Sequence, residues 1–582
     1  MKLSYKKLQV AAAVIAGLAA MWSCSSEINF DDGSFDPTVT VGGDSLAIPV
    51  GSTQAIFIED FMEIEEGGII SKDGEGRYRV NFSQSFETEV DVKEIVSRIH
   101  VPELRNSFDE SVNIGTAVPD AVSGKYRVEV VSLSDPYPFE IDLSDAKEYV
   151  SSIDRIEVDG ALRFSAVMEG MPAGTEIEVD VTFPEEFIFR NGQKGVVTFE
   201  GVADSRGVVD FDVLQLETIA LNFDAGSSFV FKDEINIERF AIEMDLDPST
   251  FSGPTGVRFD LELTSVSGGS PKPEAFYGRV RISLDHEDDL YNENNWISLE
   301  DIPEFLKSED VVLDFTSPYI DVALTSNLGV PMVVNAGLTP YFGDDMNLAA
   351  GNPLSVSISS PFCINPSAPE TVRYWLSDEK EEEVADGYTW VDADVAEFIR
   401  RIPDRIYLSY GGYSDVNSAE EHFIDFTEDS YFVDGSFSFV LPFEFGEDLY
   451  LPVKDTVTGL PDILSTLLKS ANLIVEGNVE STFPVDIILS AYFIDYSGAP
   501  VGRLTSSRIK AAMSEDQPEV SPVVLTSDQI AEGSSLDAIV IEFALDGTAS
   551  GLALSDKSYI RMSDIVLKAP GGVTIDSNNM NF

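Results

Sequence analysis

The residue whose surroundings most clearly suggest chemistry is Cys24. It follows Met21, Trp22 and Ser23, and ahead of these stand Lys2, Lys6 and Lys7 and then an apolar stretch from about Leu8 to Ala20. A basic start, a short apolar run and a small residue before the cysteine form the layout of a cleaved export signal. The run is well short of the roughly 20 residues that a helix needs to span a bilayer. The chain's second cysteine, Cys363 in SPFCINP, reads as a small buried hydrophobe, so no disulfide framework within the chain is expected.

Elsewhere the residues suited to catalysis are scattered. No G-x-S-x-G elbow, P-loop, H-E-x-x-H or paired C-x-x-C occurs, and the three histidines, His100, His286 and His422, stand far apart. A nucleophile or metal centre built on histidine therefore has few candidates, and the expectation is a protein that is not an enzyme, with no catalytic residues, no metal and no cofactor. Acid clusters at Asp285, Glu287, Asp288 and Asp289, and at Asp378, Glu379, Glu381, Glu382 and Glu383, have oxygen ligands to offer calcium. Neither follows the D-x-D-x-D-G loop, and both read as solvated loops. Trp296, Trp375 and Trp390 lie beside such loops. Trp375 and Trp390 are the candidates for stacking on a glycan, against the ordinary use of tryptophan in packing.

Charge narrows the partners. Asp and Glu number 102 against 37 Lys and Arg, a formal net charge of −65 that grows when the three signal lysines leave. Such a surface repels phosphate backbones and anionic headgroups, which excludes nucleic acid and electrostatic docking on a membrane. The hydrophobic share of 43% is globular rather than disordered, and 37 Phe and 19 Tyr favour strands.

The elements that must position these residues repeat. Short amphipathic helix patterns occur at Val92 to Ile99, Ala146 to Ile153, Ile302 to Leu306, Val395 to Ile402 and Ile463 to Leu468. Four of them run into alternating strands. Three strands then reach a proline, Pro172, Pro331 or Pro484, and resume as another apolar run. Each triplet reads as two strands bent at the proline, an ordinary hairpin in a two-sheet sandwich. The expected fold is mainly β with short helices: tandem β-sandwich-like domains of repeated helix-strand-proline-strand units. The expected boundaries are a signal at 1–23, an acidic tether at 24–42 and β-rich domains at 43–205, 206–370 and 371–582.

The segment Met21 to Cys24 resembles the lipobox of bacterial lipoproteins processed by signal peptidase II, and the acidic, Phe- and Asp-rich body resembles Bacteroidota-type outer-membrane and surface lipoproteins. Met21 stands in place of the usual Leu, and Trp22 in place of a smaller residue. The resemblance implies a lipid on Cys24, attachment to the membrane through it, and a place on the outer membrane facing outward. In exported proteins of that type D-[ST]-aliphatic tripeptides take O-linked sugars, which makes Ser45 and Thr456 candidates. Together these readings point to a surface adhesion, scaffold or ligand-capture module whose partner is a glycan or an envelope protein. The alternatives are a glycan-binding accessory lipoprotein of a polysaccharide-uptake system and a carbohydrate-active hydrolase.

Overall fold

A computed structural model describes residues 38–576, apart from 42–44, 58–68, 132–135, 285–295, 344–352, 379–385, 459–467, 469–471 and a few shorter stretches. It is 58% strand and 5% helix, as expected from the alternating patterns. The strands fall into three two-sheet sandwiches, which we name tip, middle and base.

All three share one plan of eight strands, a to h in chain order. In the tip these are Leu104–Val112, Tyr126–Val131 with Tyr137–Asp142, Val150–Met168, Glu176–Thr182, Val196–Val202, Leu214–Ile219, Val230–Met244 and Thr255–Ser265. In the middle they are Tyr78–Phe86, Trp296–Ser298 with Ser283–Leu284, Tyr319–Ser326, Met332–Tyr341, Leu354–Ser359, Glu370–Ser377, Arg405–Ser414 and Tyr431–Pro442. In the base they are Ser45–Gly51, Tyr450–Thr458, Ile474–Ser481, Asp486–Ile494, Pro500–Ile509, Glu519–Thr526, Ala538–Asp546 and Tyr559–Pro570. Each time one sheet runs a-h-c-f and the other b-g-d-e, and these neighbours are antiparallel. Inward residues alternate with outward ones and fill the space between the sheets. In the tip, Phe240 and Phe259 meet across it with ring centroids 5.2 Å apart; in the middle, Phe86 stacks on Tyr410 at 4.5 Å.

The prolines mark one point of this plan. Pro172, Pro331 and Pro484 each lie between c and d, but the two strands do not pair as the hairpin reading requires. Strand c belongs to one sheet and d to the other, and the chain arches across the core between them. The arch has no ladder to complete there, so the missing proline N–H costs nothing. In two arches a buried serine at the end of c accepts a backbone N–H two residues on: Ser326 Oγ from Leu328 at 3.0 Å and Ser481 Oγ from Phe483 at 3.1 Å.

The helical patterns hold in part. Lys93–Arg98 and Val395–Ile399 are short α-helices, whereas the pattern at 146–153 gives only a 3-10 turn at Ser144–Glu148. Strand c of the tip has begun by Val150, because Val150, Ile153 and Ile156 are β-branched and align with the edge strand Pro273–Val280. Of the other two patterns, residues 303–305 and 463–467 lie outside the described residues.

The sandwiches are nested, and this overrides the expected boundaries. Strands a and b of the middle enclose the whole tip, and strands a and b of the base enclose the whole middle. The cut at 205/206 separates e from f within the tip, and the cut at 370/371 falls inside strand f of the middle. Beyond the base, Thr38–Val41 pairs with Val573–Asp576. In the base and the middle, the g-to-h connection reaches forward to the sandwich inserted ahead of it. In the base, Leu554 O accepts the Tyr78 N–H at 2.9 Å; in the middle, His422–Asp425 adds a strand to Pro273–Val280. The tip's own ends Val112, Tyr126, Met168, Glu176, Val202, Met244 and Thr255 are aligned with one another, opposite the Val150 and Val280 end through which the chain returns to the middle. The a-to-b connection, with Val122 96% exposed, therefore lies at the far end.

The joint between tip and middle holds His422, which is fully buried. Its Nδ1 accepts the Val280 N–H at 3.1 Å, and its Nε2 lies 3.1 Å from Asp415 O, to which it donates. Those two roles require the neutral ring. Burial, with Arg279 nearby, lowers its pKa below the ordinary 6.5, partly offset by Asp415. The folded state thus binds the proton less readily than the unfolded chain does. The contribution of His422 to stability is complete above pH 6.5 and falls as the pH drops below it. The protection of amides 275–282 against hydrogen exchange, taken relative to the free-amide rate at each pH, is expected to fall between pH 7.5 and 5, and His422→Asn, which keeps an acceptor and a donor without titrating, is expected to flatten that dependence. An identical loss of protection in the variant would exclude the histidine as its source.

Candidate functional site

Between its two sheets the middle sandwich is packed, so any binding surface lies on the outward faces. On the b-g-d-e sheet, Val333, Asn335, Gly337 and Thr339 of strand d stand beside Tyr413, Gly411, Ser409 and Tyr407 of strand g, and Ser359, Ser357 and Ser355 of strand e flank the first three. Alternation turns these side chains outward while Met332, Val334 and Leu338 turn in. The outward set is small and polar where a solvated strand more often carries long charged groups. A shallow open trough of about 460 Å³ results, lined by Asn335, Gly337, Ser355, Ser357, Ser409 and Gly411, with Ala336, Val356 and Tyr410 between them. A Cβ built on Gly337 would stand 2.7 Å from Ser409 Oγ, so glycine keeps the floor low.

Aromatic residues close both ends. Tyr413, 53% exposed, stands at one. At the other, Trp296 aligns with Tyr407, its ring 5.2 Å from that of Tyr407 and 4.9 Å from that of Tyr341, with the Arg405 guanidinium 4.9 Å from the indole centroid. No acid or base lines the trough. It can hold a ligand by hydroxyl, amide and ring contacts, and its lining holds no carboxylate, histidine or lysine.

The a-h-c-f face brings Trp375 and Trp390 together as register partners of the parallel pair Glu370–Ser377 and Tyr388–Asp392. Both are half-buried. Tyr319 stacks on Trp375 at 3.7 Å, and the Trp390 indole N–H donates to Ser377 Oγ at 3.1 Å. Tyr388 Oη donates to Asp321 at 2.9 Å, with Arg373 3.1 Å from the same hydroxyl. One face of Trp375 is thus already occupied by a neighbouring ring.

The remaining candidates lie apart. His100 is exposed, and His286 lies outside the described residues. Cys363 is buried, its Sγ 3.1 Å from Asn365 O, and burial raises its pKa and keeps the thiol protonated. Asp378 accepts the Ala396 N–H at 3.2 Å and that of Val395, serving the start of the short helix rather than a loop; burial raises its pKa, with these hydrogen bonds opposing. The rest of its cluster through Glu383, and Asp285 to Asp289, lie outside the described residues. Among those described, no three His, Cys, Asp or Glu side chains are placed to hold a metal ion. Asp154 and Glu421 meet at the joint through a side-chain hydrogen bond, with burial and that bond raising the pKa of Asp154. Glycoside hydrolysis needs its two carboxyl groups about 5 to 10 Å apart, so this pair is too close for that chemistry. Cys24 lies outside the described residues. Ser45 begins strand a of the base, and Thr456 is exposed on its strand b.

The trough was not anticipated from sequence. Its signal is the run of small residues in VVNAGL, LSVSIS and LSYGG, which carries no hydrophobic period and matches no motif.

No family model matches the chain, and no curated protein matches it. Among solved structures, a protein described as secreted from Parabacteroides distasonis aligns at 16% identity over 51% of this chain and 90% of its own, with a TM-score of 0.34. A structure of infectious bursal disease virus aligns at 8% identity over 80% of this chain and 86% of its own, with a TM-score of 0.15. No helix among the described residues is long and apolar enough to cross a membrane.

Proposed function

We propose that this chain is a lipid-anchored envelope protein, exposed at the cell surface, that captures a ligand without transforming it. The observation that carries the reading is the nesting. Three sandwiches of one plan succeed one another so that both described ends of the chain leave the base, and among the described residues the tip is joined to the base through the middle. A lipid on Cys24, shortly before Thr38, would then attach beside the base and leave the tip farthest along the chain of modules. That design suits presentation of surface better than enclosure of one deep reaction site. The lipobox supplies the anchor, and the surface lipoproteins that the sequence resembles supply the address.

The trough supports capture over turnover, since its lining holds no carboxylate, histidine, lysine or cysteine to activate its serine hydroxyls. Purified mature protein incubated with polysaccharides, peptides and esters is expected to release no product. Turnover that disappears on replacing one Asp or Glu would overturn the reading and favour a hydrolase.

A further inference from the structure

Resting on the capture reading, we infer that the trough of the middle sandwich binds a neutral oligosaccharide, laid over Gly337 and Gly411 between Tyr413 and the Trp296 cluster. Shape gives the first reason. The aromatic rows at Val333 and Thr339 are six residues apart along strand d, about 20 Å at the rise of an extended strand. That length suits a short oligosaccharide and is excessive for a single sugar. The volume of about 460 Å³ falls within the range of small-ligand sites, roughly 300–1,000 Å³.

The lining gives the second reason. Ser355, Ser357, Ser409 and Asn335 present neutral groups that both donate and accept, matching the paired capacity of sugar hydroxyls. Ser357 Oγ donates to Asn335 Oδ1, which orients the amide, and the Asn335 Nδ2 has no partner among the described residues. The glycines let a ring approach the backbone between these groups. Tyr413 and Trp296 place π-faces at the two ends, where the weakly positive C–H faces of pyranose rings would meet the negative ring quadrupole.

Charge gives the third. The floor carries neither acid nor base, and Arg405 at the Trp296 end is held over the indole ring, so a uronate or sulfated glycan lying on the floor meets the field of a chain with a net charge of −65.

The test uses the full mature protein in a detergent without a sugar headgroup, titrated calorimetrically with hexasaccharides of β-1,4-glucan, α-1,4-glucan, β-1,4-mannan, β-1,4-xylan and, as the anionic probe, polygalacturonate. Saturable binding of at least one neutral hexasaccharide is expected, with the anionic one failing to bind. Ser355→Arg, which fills the trough from an exposed position, and Tyr413→Ala, which removes one end, are each expected to weaken binding about tenfold or more. Val524→Ala, on the base, should leave it unchanged. Thermal unfolding matching the parent would show that each variant is folded. Absence of binding by every neutral probe at about 1 mM, the weak end of specific recognition, would overturn the inference. So would binding of the anionic probe alone, or binding that survives both trough variants. Any of these results would leave anchored surface capture standing, because that reading rests on the nesting of the sandwiches, and its lipid and surface exposure are measured separately.

Discussion

A fragment spanning residues 100–281 is expected to fold alone and unfold in one cooperative transition, whereas a fragment spanning 43–205 is not expected to fold. The first contains all eight strands of the tip and loses the strand that His422–Asp425 adds at its edge and the short helix Lys93–Arg98, whose Glu94 accepts from the Tyr149 hydroxyl. The second keeps strand c but lacks its cover. Phe164 packs against Phe211 at 5.1 Å and against Phe259 at 5.7 Å, and Phe259 against Phe240, and all three partners lie beyond residue 205. Loss of a buried phenylalanine costs about 3–5 kcal/mol. Three such losses are comparable to the whole stability of an ordinary domain, about 5–15 kcal/mol. Circular dichroism and thermal unfolding of the two fragments would decide this, and a cooperative transition in 43–205 would refute the nesting.

The second large effect concerns the anchor. Cys24→Ala removes the only thiol at the export cleavage point, so the variant is expected to accumulate as unprocessed precursor and to carry no lipid. Metabolic labelling with a fatty acid followed by gel separation measures both. A fatty-acid label remaining on the variant would remove the lipoprotein assignment.

Local features of this fold were legible in the sequence, and its closure was not. Alternation in RIEVDG, TEIEVDVTF and VDIILSAYF marked strands because each has one face buried against the opposite sheet. Pro172, Pro331 and Pro484 occupy equivalent places, as their spacing implied. Their role as arches between sheets was hidden, since a strand pattern does not say which sheet a strand joins. Nesting was hidden for a related reason. Strand a of each sandwich pairs with strand h, in the base Ser45–Gly51 with Tyr559–Pro570, and no local pattern records a partner that distant.

The candidate site divides in the same way. Trp375 and Trp390 stood out because tryptophan is rare, and the fold does align them, but Tyr319 lies on one of them. Asn335, Ser355 and Ser409 drew no notice, because a serine or glycine gains meaning only from what pairs beside it. His422 reads in sequence as a residue in EEHF that is solvated or packed rather than a ligand, and it is sealed into the joint by Val280, 142 residues earlier, at the end of the strand with which its own strand pairs.

The central claim, a lipid-anchored protein whose tip faces the surroundings of the cell, is tested most directly by one thiol. Val122 sits on a turn fixed by Asp120, which accepts the Val122 and Ser123 N–H groups at 2.8 Å each, and its side chain is 96% exposed. Cys363 is fully buried, and Cys24 would be consumed by its lipid, so the unsubstituted protein serves as its own blank. With Val122→Cys, a membrane-impermeant maleimide applied to intact cells is expected to label the variant fully and the parent not at all. Labelling of the variant only after the cells are permeabilised would contradict the claim.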